Sequence, residues 1–248
     1  MTTISYQLYC SRNFPPLEDT LSMLAGLGFK EVEGWGGQYD DPVRLRELCD
    51  AAGVTMTTGH MGLAMLEDTP EKAVTTAKTM GMKAVMVPAI GPDERNMDAA
   101  GWEAFGKRLA EAGKPILDAG LKFGWHNHDF EFKDLGGSDL PLDLIAAGSD
   151  DISLELDLGW TKRAGKDPIE WIDKYADRII AVHVKDIAPE GENADEDGWA
   201  DVGHGVMDWA ALNKHLQSKG ITHYVLEHDN PSDHERFARR SMETLKSL

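Results

Sequence analysis

Cysteine is scarce in this sequence: Cys10 and Cys49 are the only two in 248 residues. No framework of spacings surrounds them, so both are expected to be reduced thiols. Positive charge is scarce too. Lysine and arginine total 25 against 43 acids, a formal net charge of -18. That balance repels phosphate backbones and anionic lipid, which speaks against nucleic-acid and membrane partners. No apolar run approaches the roughly 18 residues of a membrane span. The opening MTTISYQLYC lacks the basic and long apolar stretches of a secretory signal. A cytoplasmic protein is expected. No linker or low-complexity tract divides the chain, so residues 1–248 read as one domain.

What is present is a strict alternation of short apolar runs with helical patterns. Strands are predicted over Ile4–Tyr9, Glu31–Trp35, Val54–His60, Ala84–Ile90, Leu121–His128, Ile152–Asp157, Ile179–Lys185 and Tyr224–His228. Between them lie amphipathic stretches punctuated by stop glycines such as Gly28, Gly53, Gly81, Gly120, Gly148 and Gly220. Thr69 and Asp208 read as helix N-caps, and Ser232 with Glu235 as a capping box for the last helix. The helix over Asp98–Ala119 carries Pro115, where a bend is expected. Strict alternation implies parallel strands joined by crossover helices. Eight units in about 250 residues is the size of an α/β fold of the (β/α)8 type, a TIM barrel. A doubly wound sheet is the competitor, but no G-x-G-x-x-G follows the first strand.

In such a barrel the C-terminal strand ends share one mouth. Here those ends turn polar and ionisable: Glu33 and Trp35, His60, His126 and His128, Glu155 and Asp157, His183 and Lys185, Glu227 and His228. Asp157 alone suits a helix cap, and His183 alone a core histidine. Together with Glu227 on consecutive strands, they would cost several kcal/mol each to bury without a compensating charge. The set points to one divalent metal ion (Mn, Co, Zn or Mg), and the lack of thiolates argues against structural zinc.

The chain resembles the sugar phosphate isomerase/epimerase family, the xylose-isomerase-like TIM barrels, over nearly its whole length. The resemblance lies in WHNHDFEF (Trp125–Phe132), ELDLGW (Glu155–Trp160), HVKD (His183–Asp186), GHG (Gly203–Gly205) and LEHD (Leu226–Asp229). It implies a metal held by Asp157, His183, Glu227 and a ligand from strand five. There the family's epimerases commonly carry Glu-Asn-His, and this chain has His126-Asn127-His128. The fourth ligand is therefore His126, Glu131 or Glu155. A histidine-rich strand five also resembles the inosose-dehydratase-like branch.

The expected activity is that of a metal-dependent isomerase or epimerase on a small keto sugar or polyol, through a metal-stabilised enediolate. The alternative is a dehydratase or lyase on a keto-inositol or 3-keto-glycoside. Glu227, His126 or His128 would move the proton, and Lys185 would hold an oxyanion or hydroxyl. His60, Glu131 and His204 are candidate substrate contacts, with Trp35 and Trp160 the best of four tryptophans (Trp125 and Trp199 being the others) for stacking on a sugar. Strand eight leads into HDNPSD without a glycine-rich phosphate turn, which favours an unphosphorylated substrate. An abasic-site endonuclease would need a basic groove, and a sugar-binding scaffold would need no metal. Pairing into a homo-oligomer is expected by analogy alone.

Overall fold

The structure, a computed structural model, describes residues 2–248. Eight parallel strands close into a TIM barrel: β1 (Thr3–Gln7), β2 (Glu31–Gly34), β3 (Thr55–His60), β4 (Ala84–Val87), β5 (Lys122–His126), β6 (Ile152–Asp157), β7 (Ile179–Val184) and β8 (His223–Leu226). Consecutive strands are neighbours, and β1 pairs with β8 from Thr3↔His223 to Tyr6↔Leu226, which closes the ring. The helices are α1 (Leu17–Leu27), α2 (Pro42–Ala52), α3 (Leu63–Asp68), α4 (Pro70–Met80), α5 (Ala99–Asp118), α6 (Pro141–Ala146), α7 (Leu158–Arg163), α8 (Pro168–Tyr175), α9 (Trp209–Ser218) and α10 (His234–Ser247).

Strand alternation divides the molecule into two environments. Val182, Val184, Leu154, Leu156, Val32 and Leu226 point to the helices and join the apolar core, at 0–1 % exposure. Each such side chain contributes about 1.5–3 kcal/mol on burial. Residues of the other parity fill the barrel, and towards its mouth they are polar: Gln7, Glu33, His126, Glu155, Asp157 and His183, all at most 2 % exposed. Two irregularities break the register, between Val32 and Glu33 against β3 and between Leu154 and Glu155 against β7. Each lies beside an inward carboxylate, and a bulge re-aims the side chains next to it.

Local signals resolve mostly as the sequence predicts. Gly28, Gly53 and Gly81 adopt left-handed φ where their helices stop, and Asp208 caps α9 by accepting from Ala211 N at 3.0 Å. Three capping details differ. Thr69 stands at the N-cap of α4, its carbonyl accepting from Ala73 N at 3.1 Å, but its hydroxyl donates back to the Met65 carbonyl at 3.0 Å instead of capping α4. The Ser232–Glu235 box does not form: Asp233 caps α10, accepting from Arg236 N at 2.9 Å, and Ser232 binds Glu196. Gly148 is not left-handed; it is needed because a Cβ there would strike the Gly106 backbone of α5. Two short helices, α3 and α7, escape sequence periodicity at six residues each. So does a two-residue ribbon in the loop after β7, pairing Asp186–Ile187 with Trp199–Ala200.

Candidate metal centre and active site

Asp157 ends β6 and serves two roles. Its Oδ1 accepts from Trp160 N at 2.7 Å, capping α7, and its Oδ2 is buried without a hydrogen-bond partner. Asn127, just past β5, clamps the Asp157 backbone, accepting from its N–H at 2.9 Å and donating to its carbonyl at 3.4 Å. Gly159 lets α7 approach β7, since a Cβ there would lie 2.6 Å from the Lys185 carbonyl.

His183 on β7 lies between two carboxylate pairs. Its Nδ1 is 2.9 Å from Glu227 Oε2 and 4.0 Å from Asp157 Oδ2. Its Nε2 is 2.8 Å from Glu33 Oε1 and 3.1 Å from Glu155 Oε2. Across the barrel, His60 Nε2 lies 2.5 Å from Glu155 and 3.2 Å from Glu33. Two ligand groups result, each with donor atoms within 4.8 Å of one another: His126, Asp157, His183 and Glu227, and, sharing His126 and His183, the group His60, His126, Glu155 and His183.

Lys185 is fully buried, its ammonium 2.8 Å from Glu227, 2.8 Å from Asp229 and 3.4 Å from Asp157. Its Nζ also lies 5.1 and 4.7 Å from the ring centres of Trp160 and Trp199. Burial opposes its charge, but the carboxylates of Asp229, Glu227 and Asp157 raise it above the ordinary lysine range. The histidines divide. Burial would lower His60, yet Glu33 and Glu155 raise it to about 10. His183 is likewise raised by Glu155 and Glu227 against the cost of burial. Burial lowers His126, helped by the charge of His183, and takes His128 to about 3, helped by Lys185. Burial raises Asp157 to about 6, against Lys185 and His183.

The residues present fit a divalent ion. Five carboxylates (Glu33, Glu155, Asp157, Glu227, Asp229) crowd three groups able to carry positive charge, His60, His183 and Lys185. Asp157 Oδ2, His126 Nδ1, Glu155 Oε1 and Glu33 Oε2 are buried and unpartnered, and such atoms are costly to leave so. Imidazole and carboxylate donors suit Zn, Mn or Co.

Above the cluster opens a cavity of about 500 Å³, lined by Tyr9, Trp35, His60, His126, His128, Trp160, Glu227 and Asp229, among others. Glu131 does not reach it. Its carboxylate accepts from Trp125 Nε1 and His128 N, both at 2.9 Å, so it belongs to the wall behind β5 and to neither ligand group. His204 is exposed on the loop after β7 and does not line the cavity; the flanking glycines instead give their N–H groups to Asp186. Trp125 and Trp199 are core, each at most 1 % exposed. His228 points away from the mouth and packs edge-on against Phe237, ring centres 5.3 Å apart. Sequence reasoning left Gln7 and Asp229 without roles, although LEHD displays the aspartate; nothing local marks Gln7.

The xylose isomerase-like TIM barrel family model matches residues 21–248. The chain belongs to that family. It is similar to the rhizopine catabolism protein MocC of Rhizobium meliloti, at 24 % identity over 74 % of this chain and 61 % of that protein. It is also 24 % identical to the inosose dehydratase of Geobacillus kaustophilus, over 68 % of this chain and 62 % of that one. The chain thus spans about three fifths of the length of these curated relatives. A sugar phosphate isomerase/epimerase from Parabacteroides distasonis superposes with a TM-score of 0.83 at 19 % identity, over 100 % of this chain and 94 % of that one.

Proposed function

We propose that this chain is a metal-dependent dehydratase acting on a small, unphosphorylated keto-inositol or 3-keto-glycoside. The carrying observation is the ligand group His126, Asp157, His183 and Glu227 at the base of a cavity flanked by indoles. The relative named inosose dehydratase supports the dehydratase reading over the isomerase or epimerase first expected; the other is named for the catabolism of a rhizopine. No lysine or arginine is among the residues lining the cavity, and Lys185 beneath it is held by three carboxylates. A phosphate would therefore find no free cation, and Glu227 and Asp229 would repel it.

An ion held by the four ligands would act as a Lewis acid, acidifying the C–H beside a substrate carbonyl. His128, its imidazole kept neutral by burial, lines the cavity and is the group placed to take that proton. Asp229 lines the same cavity as a carboxylate held by Lys185, and the proton taken by His128 is passed on to the departing hydroxyl. The C–H electrons form the new double bond, and the β-hydroxyl leaves as water. Trp35 and Trp160 would pack against the ring's C–H faces, and His60 would contact a hydroxyl. His126 and Glu227 are assigned here to the ion, and Lys185 to holding Glu227 and Asp229.

The test combines elemental analysis with turnover on keto-inositols and 3-keto-glycosides in D2O. Near-stoichiometric metal, and elimination abolished in His183→Ala and Glu227→Ala, is the expected result. His128→Ala should retain the metal and lose about 10²–10⁴-fold in rate. Deuterium exchange without elimination would return the assignment to an isomerase or epimerase. A protein that takes up no metal would overturn both.

A further inference from the structure

The ligands proposed for the ion come from β5, β6, β7 and the end of β8, yet His183 is tied to the opposite side of the barrel. We infer that Glu33 of β2 is a positioning residue for the metal site: it accepts the Nε2 proton of His183 and so presents Nδ1 to the ion, with Gln7 of β1 holding Glu33 in place. The inference rests on His183 being a metal ligand, as proposed above.

A histidine has two ring nitrogens, and the hydrogen bond made by one decides which remains free to bind metal. Here the two nitrogens face different neighbours. Nδ1 faces Glu227 and Asp157, fellow members of the proposed ligand set, whereas Nε2 is 2.8 Å from Glu33 Oε1. Glu155 also approaches Nε2, at 3.1 Å, but its Oε2 bonds His60 at 2.5 Å. The partners thus sort into His183 with Glu33 and His60 with Glu155.

Glu33 is itself fixed. It is fully buried beside the register break in β2, and Gln7 Nε2 donates to its Oε1 at 2.8 Å. The Gln7 amide is oriented by its other end, where Oε1 accepts from Tyr9 N at 3.0 Å. The chain Gln7–Glu33–His183 therefore runs from the first strand to the ion. A buried carboxylate without such partners would be costly, so its presence calls for a task.

The experiment loads wild type, Glu33→Gln, Glu33→Ala and Gln7→Leu with zinc. Zinc affinity is measured by competition with a chelating dye, and the His183 nitrogens by long-range 1H–15N correlation. In wild type, Nδ1 should be metal-bound and Nε2 protonated. Glu33→Ala should weaken zinc about 10–100-fold, and Glu33→Gln, whose amide oxygen still accepts, should stay close to wild type. Gln7→Leu should fall between them and covers the case in which Glu33→Ala does not fold. A metal-bound Nε2 in wild type, or unchanged affinity in Glu33→Ala, overturns the inference and leaves the metal site standing. A wild type that binds no zinc overturns both.

Discussion

Glu131 shows how one buried side chain can carry a pH dependence. Burial pushes its carboxyl up to about 8, although His128 N and Trp125 Nε1 both donate to it. The unfolded value is about 4.3, so the native state holds the proton more tightly. The resulting stability is full below that value and is lost as pH rises through about 8. Denaturation midpoints measured from pH 5 to 9 should therefore fall more steeply in wild type than in Glu131→Gln. Lys185 makes the opposite case. Its ammonium neutralises Asp157, Glu227 and Asp229, and Lys185→Met should destabilise the metal-free protein by about 3–5 kcal/mol. Unfolding in denaturant with and without chelator checks this, since a bound ion would supply part of the missing charge and shrink the loss. The same residues mark what was legible at this scale. Glu131, Glu155 and His126 are equal candidates on the line of the sequence. Only the hydrogen bonds to Trp125 and His128 take Glu131 out of the ligand group. Likewise Glu227 and His228 look alike in LEHD, but adjacent residues on one chain point to opposite sides, and only one faces the mouth.

At the scale of elements, the loop after β7 is a fastened structure. The Asp186 carboxylate accepts from Ile187 N, Gly203 N, Gly205 N, Met207 N and Trp209 Nε1, at 2.8–3.3 Å. Gly205 is required there because a Cβ would collide with the Asp186 carboxylate and the Ile187 carbonyl. A second fastening joins Glu196 and Asp201 to Arg236 of α10, with Glu196 2.8 Å and Asp201 3.1 Å away. Asp186→Ala strands several buried donors and should cost about 2–4 kcal/mol. It should also expose residues 188–206 to limited proteolysis, whereas wild type resists. This loop is where sequence reasoning reached least far. Its composition reads as an acidic, aperiodic tract, and the ribbon is too short to leave a period. GHG offers His204 as a candidate substrate contact; the structure leaves that histidine exposed and off the cavity, while the flanking glycines donate to Asp186. The long helices and their left-handed glycine stops were legible because each signal is local.

For the whole molecule, the alternation of strands and helices was enough to anticipate the closed barrel, since parallel strands of this number have few other ways to bury both faces. The convergence inside it was not: Gln7, Glu33 and His183 meet only because β1 pairs with both β2 and β8. The net charge of -18 is a property of the whole surface. Self-repulsion on that scale is screened by salt, so melting temperature should rise as NaCl goes from about 10 to 150 mM, where the Debye length falls to about 8 Å. A flat or falling response would mean that local ion pairs outweigh the net charge. The ring pair Trp160 and Trp199, edge to face at 4.7 Å beside the Lys185 ammonium, adds one more property. Indole emission responds to nearby charge, so any ion or ligand that redistributes the carboxylates around Lys185 changes the colour of this pair's light. The centre thus carries its own fluorescent gauge, readable without a label and without knowing the substrate.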